Sequence, residues 1–390
     1  MQNRNLRFPT RALTVVAAAA LVLSFATFAA AQPADVAAIF ATAPKQNTNV
    51  QGVTVFSGPP KGFNPLAATG VELANYGLPQ RPDAQADPRA YKLWERAMLA
   101  ANTRATGVLP QPFSNREMMG ARQRSAAVEN TPAEYESNNW SGVASTNKLT
   151  KWNNSTSFDY VTSLWNVPVS QPPFGACAAG IKGPFYTSIW NGIDGFSNGD
   201  VIQGGSLDIA KCNGKKNGAV SYYGWIEWYP SYATLVITCG SGSTACPVSP
   251  GDDFWVITYG TAGTADQTVF IEDLTQQWYG TFALSWISGP GVVGSSAEWI
   301  VERSCCSTGS TPYALVNYVD DFFDYSYATN GKGTTFFPGQ TTTTTAIITM
   351  TDDSGSNDIS YPTVGSTGYQ GRYSIWFEDE SCAYTGGCTP

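Results

Sequence analysis

Histidine is absent from all 390 residues of the chain. Without it, neither a Ser-His-Asp triad nor a Cys-His pair can be assembled, and the His-Glu-x-x-His zinc site and the His-containing deaminase site are excluded too. Acid-base chemistry is left to carboxylates, Tyr or Lys. Charge is also scarce: 13% of residues are Asp, Glu, Lys or Arg while 43% are hydrophobic, so a buried core is expected rather than disorder. Cysteine is missing from the N-terminal part, and all eight (177, 212, 239, 246, 305, 306, 382, 388) follow position 176. No segment beyond the N-terminal leader is long and apolar enough to cross a bilayer. With no His and no pair of C-x-x-C motifs, neither a metal nor another cofactor is expected.

The charge that is present is divided unevenly. Residues 134–390 hold 9 Lys and Arg against 23 Asp and Glu, a net of −14, whereas the first 133 residues hold 13 against 7, a net of +6. An acidic body would repel nucleic acid phosphates. It suits work at low pH, where protonation relieves self-repulsion. Residues 1–31 read as a secretory signal peptide, with Arg4, Arg7 and Arg11 before the apolar stretch Ala12 to Phe28 and small residues at Ala29-Ala30-Ala31. The expected location is therefore extracellular, with no membrane attachment once the leader is removed.

Residues 32–133 are rich in Pro, Ala, Asn, Gln and Arg and read as a prosegment. One helix is expected there, around Pro88 to Ala101, with Tyr91, Trp94 and Leu99 on a shared face. From 134 to 390 the pattern is all-β. Short Val-, Ile-, Thr-, Tyr- and Trp-rich runs, such as Leu235 to Thr238, Phe254 to Tyr259, Gln267 to Ile271, Thr281 to Trp286 and Thr341 to Thr351, alternate with Gly, Pro, Asn and Ser clusters. One antiparallel two-sheet β-sandwich accounts for this length. The cysteines fit an exported, disulfide-bearing domain, with local pairs expected at Cys239–Cys246 and Cys382–Cys388. The adjacent Cys305 and Cys306 are too close to bond to each other in ordinary geometry. Sequons begin at Asn139, Asn153 and Asn154 and matter only in a glycosylating host.

Five segments carry the chemistry: Asn138-Asn139-Trp140-Ser141-Gly142; Trp190-Asn191-Gly192-Ile193-Asp194-Gly195; Ile202-Gln203; Trp225-Ile226-Glu227-Trp228-Tyr229-Pro230; and Ala297-Glu298-Trp299-Ile300-Val301-Glu302. Together, in this order, they resemble the segments that mark the glutamic peptidases, or eqolisins, over a region from about Tyr135 to the C-terminus. The resemblance implies a concanavalin A-like lectin sandwich, a pepstatin-insensitive acid endopeptidase, and a catalytic dyad of Gln203 and Glu298. It further implies that Trp140, Trp190, Asp194, Trp225, Glu227 and Tyr229 line or support the substrate cleft. Two places depart from the family pattern: Tyr223, where some relatives are acidic, and Gly205-Ser206-Leu207.

The residues themselves suit those roles. Hydrolysis without a nucleophilic side chain needs a base for water, a donor for the oxyanion and an acid for the leaving amine. One carboxyl, Glu298, can serve as base and then acid. The Gln203 amide can donate to an oxyanion at any pH. In a strand, Glu298, Ile300 and Glu302 face one way, and Trp225, Glu227 and Tyr229 share a face. Taken alone, a strand Gln is usually a structural hydrogen-bonder and a strand Glu a solvated one. Two other readings use the same residues: a jelly-roll glycoside hydrolase with Glu227 and Glu298 as its carboxylate pair, and a carbohydrate-binding lectin stacking sugars on Trp and Tyr. For a peptidase the expected partners are protein or peptide substrates and the chain's own basic prosegment, held over the Gln203–Glu298 cleft by charge. A monomer is expected.

Overall fold

The computed structural model describes residues 36–100, 108–113, 127–128, 133–240, 244–261, 266–287, 291–304, 312–340, 344–364 and 375–379. The expected leader, the Cys305-Cys306 pair and the Cys382–Cys388 bridge lie outside these residues. The described elements run α1 (Val36–Thr42), β1 (Lys45–Asn47), β2 (Val53–Phe56), α2 (Gly70–Asn75), α3 (Pro88–Ala100), β3 (Leu109–Pro112), β4 (Ala127–Val128), β5 (Ala133–Ser137), β6 (Trp140–Thr146) and β7 (Phe158–Asn166). They continue with β8 (Phe185–Ile193), β9 (Val201–Asn213), β10 (Lys216–Tyr229), β11 (Leu235–Cys239), β12 (Thr244–Ala245), β13 (Asp253–Tyr259) and β14 (Asp266–Asp273). The last are β15 (Trp278–Ser285), β16 (Ser296–Glu302), β17 (Asp320–Asn330), β18 (Thr335–Phe336), β19 (Thr345–Thr351), β20 (Asp358–Thr363) and β21 (Ile375–Asp379).

Hydrogen bonding links the strands into one sheet doubled over into two layers. The upper layer runs β1-β2-β15-β14-β13-β7-β17. The lower layer runs β19-β6-β16-β8-β9-β10-β11-β3. The strands β20 and β21 join them at one side. Nearly all pairing is antiparallel; β5 beside β19 is the parallel exception. This is the two-sheet sandwich expected from the alternating pattern. The core between the layers takes alternate residues from both, including Ile189, Ile193, Ile202, Ile226 and Trp299 from below and Trp165, Phe254, Val256, Val269 and Phe282 from above. Gly204 lets the layers approach, since a Cβ there would lie 2.7 Å from Val269. β8 is buried along all of its length.

The third layer is helical and sits on the outer face of the upper sheet. There, Phe40, Leu73, Leu93, Trp94, Ala97 and Met98 pack on Tyr160, Trp255, Ile257, Tyr259 and Phe270. The helix expected near residue 88 is α3, begun by a proline at its first position. Its buried face is Leu93, Trp94, Ala97 and Met98, and Leu99 points to solvent at 62% exposure, so the expected Tyr91-Trp94-Leu99 face is corrected in part. Residues 114–126 of the expected prosegment lie outside the described residues, while residues 36–100 cover the side opposite the lower sheet's outer face rather than the Gln203–Glu298 row. Their ion pairs to the body, Arg89–Asp324 (3.1 Å) and Arg96–Asp253 (2.6 Å), lie on that far side.

The Cys239–Cys246 bridge is present as expected, and Cys177–Cys212 is a second, spanning 35 positions. No helix among the described residues is long and apolar enough to cross a membrane.

Candidate active site

On the outer face of the lower layer, register decides which side chains meet. Glu227 of β10 pairs with Gln203 of β9, Gln203 with Gly192 of β8, and Gly192 with Glu298 of β16, which in turn pairs with Ala144 of β6. Directly paired residues project to the same face. Gln203 and Glu298 therefore stand on either side of Gly192, two strand spacings or about 10 Å apart at the backbone. Gly192 contributes no side chain between the amide and the carboxyl. A Cβ there would come within 2.9 Å of the Ile202 carbonyl oxygen, 3.0 Å of the Trp190 ring and 3.1 Å of Gln203 Cβ.

Glu298 is fully buried, and neither of its oxygens makes a hydrogen bond of ordinary geometry. Burial raises its pKa well above the usual carboxylate value, and the nearby Asp194 charge adds to this. The Ser296 hydroxyl and the Phe196 backbone N–H oppose the shift more weakly. Burial thus favours the protonated form of this carboxyl.

The next row along the strands braces this one. Trp225, Gly205, Trp190 and Ile300 are successive partners. Gly205 is required beside Trp190, because a Cβ there would lie 2.1 Å from the Ile189 carbonyl oxygen. The Trp190 indole N–H donates to Glu302 Oε2 (2.9 Å), Asn139 donates to Glu302 Oε1 (3.3 Å), and Trp140 meets Trp190 edge-on at 4.9 Å. Asn139, the first of the sequons, is therefore buried against Glu302. Among the described residues the Trp225 indole N–H has no hydrogen-bond partner. Glu227 accepts from the Thr234 hydroxyl at 2.6 Å, and Tyr229 is half-buried two residues on.

Asp194 follows β8 with φ of 72°, the left-handed region. Its carboxylate turns away from the row and accepts from the N–H groups of Val293 (2.5 Å), Gly294 (2.9 Å) and Ser295 (2.7 Å) and from the Ser295 hydroxyl (2.7 Å). It thereby pins the loop that leads into β16 and Glu298. Burial raises its pKa on balance, against those four hydrogen bonds.

All eight residues singled out from sequence lie on or beside this face. The parts that sequence did not single out are Gly192, Glu302, Thr234 and the Val293–Ser295 loop. Gly192 and Glu302 stood inside the quoted motifs, but their roles depend on which strands are neighbours.

The same geometry weighs on the alternatives. Glu227 and Glu298 are three strand spacings apart, about 14 Å at the backbone, with Gln203 and Gly192 between them. Trp140, Trp190 and Trp225 are fully buried and offer a sugar no exposed ring.

The fold is a doubled β-sheet, and its lower outer face carries Gln203 and Glu298 astride a glycine in a chain without histidine. The profile of the peptidase A4 family matches residues 138–368, and the chain belongs to that family. It is 28% identical to Aspergillopepsin-2 of Aspergillus niger over 158 residues, 40% of this chain and 51% of that protein; the chain thus spans about half the length of this curated relative. Among solved structures, it is similar to scytalido-glutamic peptidase with a transition state analog inhibitor, at 21% identity and a TM-score of 0.44, covering 62% of this chain and 98% of that one. It is also similar to aspergilloglutamic peptidase from Aspergillus niger, at 26% identity and a TM-score of 0.38, covering 50% of this chain and 99% of that one.

Proposed function

We propose that the chain is a secreted endopeptidase acting on proteins and peptides at acidic pH, with Glu298 and Gln203 as its catalytic pair. The observation that supports this most is their placement on either side of Gly192 on one sheet face. In this reading a substrate carbonyl lies over Gly192. Ionised Glu298 takes a proton from water as the water oxygen attacks the carbonyl carbon. The Gln203 amide donates to the developing oxyanion, and protonated Glu298 then delivers its proton to the leaving amine as the C–N bond breaks. Burial favours the second of these states, and entry of water into the cleft, by lowering the desolvation, favours the first. Residues 1–31 serve export and residues 32–133 are made as a prosegment.

The test is digestion of a denatured protein across acidic pH, with and without pepstatin. Cleavage unaffected by pepstatin is expected, because that inhibitor occupies a site built from two Asp-Thr-Gly or Asp-Ser-Gly segments. This chain has a single one, Asp353-Ser354-Gly355, whose Asp353 is paired to Arg303 at 3.0 Å. Pepstatin inhibition, or turnover surviving in Glu298→Gln, would count against the reading.

A further inference from the structure

The catalytic row does not end at Glu227. Thr234, just before β11, bonds Glu227, and the next strand outward is β3, from the N-terminal segment. β3 pairs antiparallel with β11 through Leu235–Pro112, Val236–Gln111, Ile237–Pro110 and Thr238–Leu109. The pairing continues one residue further, where the Phe113 N–H donates to the Thr234 carbonyl at 3.0 Å. Phe113, Thr234, Glu227, Gln203, Gly192 and Glu298 thus form one continuous line across the face. The Phe113 ring meets Tyr223 edge-on at 5.5 Å, both are half-buried, and both pack against the aromatic cluster that holds Trp190 and Trp225.

Two facts coincide at this point. Phe113 lies before residues 138–368, the region that matches the family. Tyr223 lies inside that region, on β10, four residues before Glu227. A residue from outside the matched region and one from within it therefore meet beside the end of the row that carries Gln203 and Glu298.

Resting on the peptidase reading, we propose that Phe113 and Tyr223 form an apolar subsite of the substrate cleft, and that residues 108–113 remain part of the active enzyme. Their strand is woven into the sheet edge, with the Thr238 hydroxyl bonded to the Leu109 carbonyl at 2.9 Å besides the ladder. Processing would then cut after Phe113 or leave the segment attached through its strand. Phe113 lies four strand spacings from Gly192, over which the cleaved carbonyl is placed, about 19 Å, and an extended peptide advances about 3.3 Å per residue. A peptide laid along the row therefore brings to this subsite the side chain about six residues from the cleaved bond. A large apolar or aromatic side chain is the chemistry that fits.

The experiment uses the full secreted chain and fluorescence-quenched peptides carrying Phe or Ala at the sixth residue on each side of the cleaved bond. The quantity read is the Phe-to-Ala ratio of kcat/KM. About a tenfold preference for Phe on one side is expected in the wild type, the scale of an apolar contact in a specificity pocket. The ratio should fall to about 1 in Phe113→Ala, stay high in Phe113→Leu, and move through KM rather than kcat. Tyr223→Ala reads the same ratio should Phe113→Ala fail to fold. Mass analysis of the active species should find residues 108–113 in it. A ratio identical in wild type and variants, or an active species lacking these residues that keeps the preference, overturns the subsite. A wild type that cleaves none of the peptides overturns the peptidase reading instead.

Discussion

Gly192 sets the spacing on which the proposed chemistry depends. Any side chain there would enter the space between Gln203 and Glu298, and the nearest obstacle, the Ile202 carbonyl at 2.9 Å, is backbone. Gly192→Ala should therefore displace β8 and lower turnover far more than it lowers the melting temperature, checked by kinetics beside calorimetry. Glu298→Gln should reduce kcat by at least about 100- to 10,000-fold, the range of a lost acid-base group. Its stability effect has a definite sign. A carboxyl whose folded pKa is raised contributes stability that is full below its unfolded pKa and is lost as pH rises towards the folded pKa. The amide does not titrate, so Glu298→Gln and wild type should melt alike near pH 4, with the variant the more stable at pH 7.5. A variant less stable at pH 7.5 would contradict the buried, raised carboxyl. Gln203→Ala should cost about 100- to 1000-fold in kcat with little change in KM, the pattern of a lost oxyanion donor.

At the scale of elements, the loop Val293–Ser295 and the strand β16 are held in place by one carboxylate. Asp194→Ala would leave three backbone N–H groups and a hydroxyl without their acceptor, at a cost of about 1–3 kcal/mol for each that stays buried and unsatisfied. Denaturant unfolding of this variant should show a loss of at least about 3 kcal/mol on that scale, whereas Asp194→Asn, which keeps one acceptor oxygen, should lose less. Much of the element layer was legible in the sequence. Pro88 and the apolar spacing after it marked α3, and the β-branched runs marked β11, β13, β14 and β15. What escaped was whatever depends on contacts distant in sequence. The buried face of α3 is chosen by the Trp255 and Tyr259 rings beneath it, and so Leu99 fell outside it. The motifs around residues 190, 203 and 298 announced the candidate dyad, but its register across β9, β8 and β16 is a property of strand order, which no local pattern contains. Thr234 and Phe113 carried no signal at all.

For the whole molecule, acid is the stabilising condition. Burial pushes Asp159 and Asp200 up to about 6 and Asp208 and Asp273 up to about 8, and raises Asp194 and Asp321 as well. Among the described carboxyls, Glu72, Asp83 and Asp352 move down, each held by neighbouring hydrogen-bond donors. Each raised group is protonated in the folded chain at pH values where the unfolded chain has released its proton. Stability therefore falls as pH rises, across a window from about 4, the unperturbed carboxylate value, to about 8. The melting temperature should climb steadily as pH is lowered from 8 to 4.5; a maximum at neutral pH would contradict this. The helical layer should hold on through the same change. Its two ion pairs are partly exposed, a type worth about 0–1 kcal/mol. Its Trp94, Met98 and Phe40 packing does not titrate, so the attachment follows apolar contact rather than the charge difference between the two parts of the chain.

Two of the outermost strands among the described residues, β1 and β3, are built from residues before position 114. With a sequence pI near 4.7, the protein would lose most of its mutual repulsion in moderate acid, where a bare strand edge recruits a neighbour. One of these strands is the short, polar β1. At the other, N–H groups alternate along β3, and since that of Phe113 points to β11, the outward positions are 112 and 110. Both are proline, and proline has no N–H to offer. The edge that closes the candidate cleft is thus a terminus for strand addition, and it keeps the molecules apart at the pH where charge no longer does.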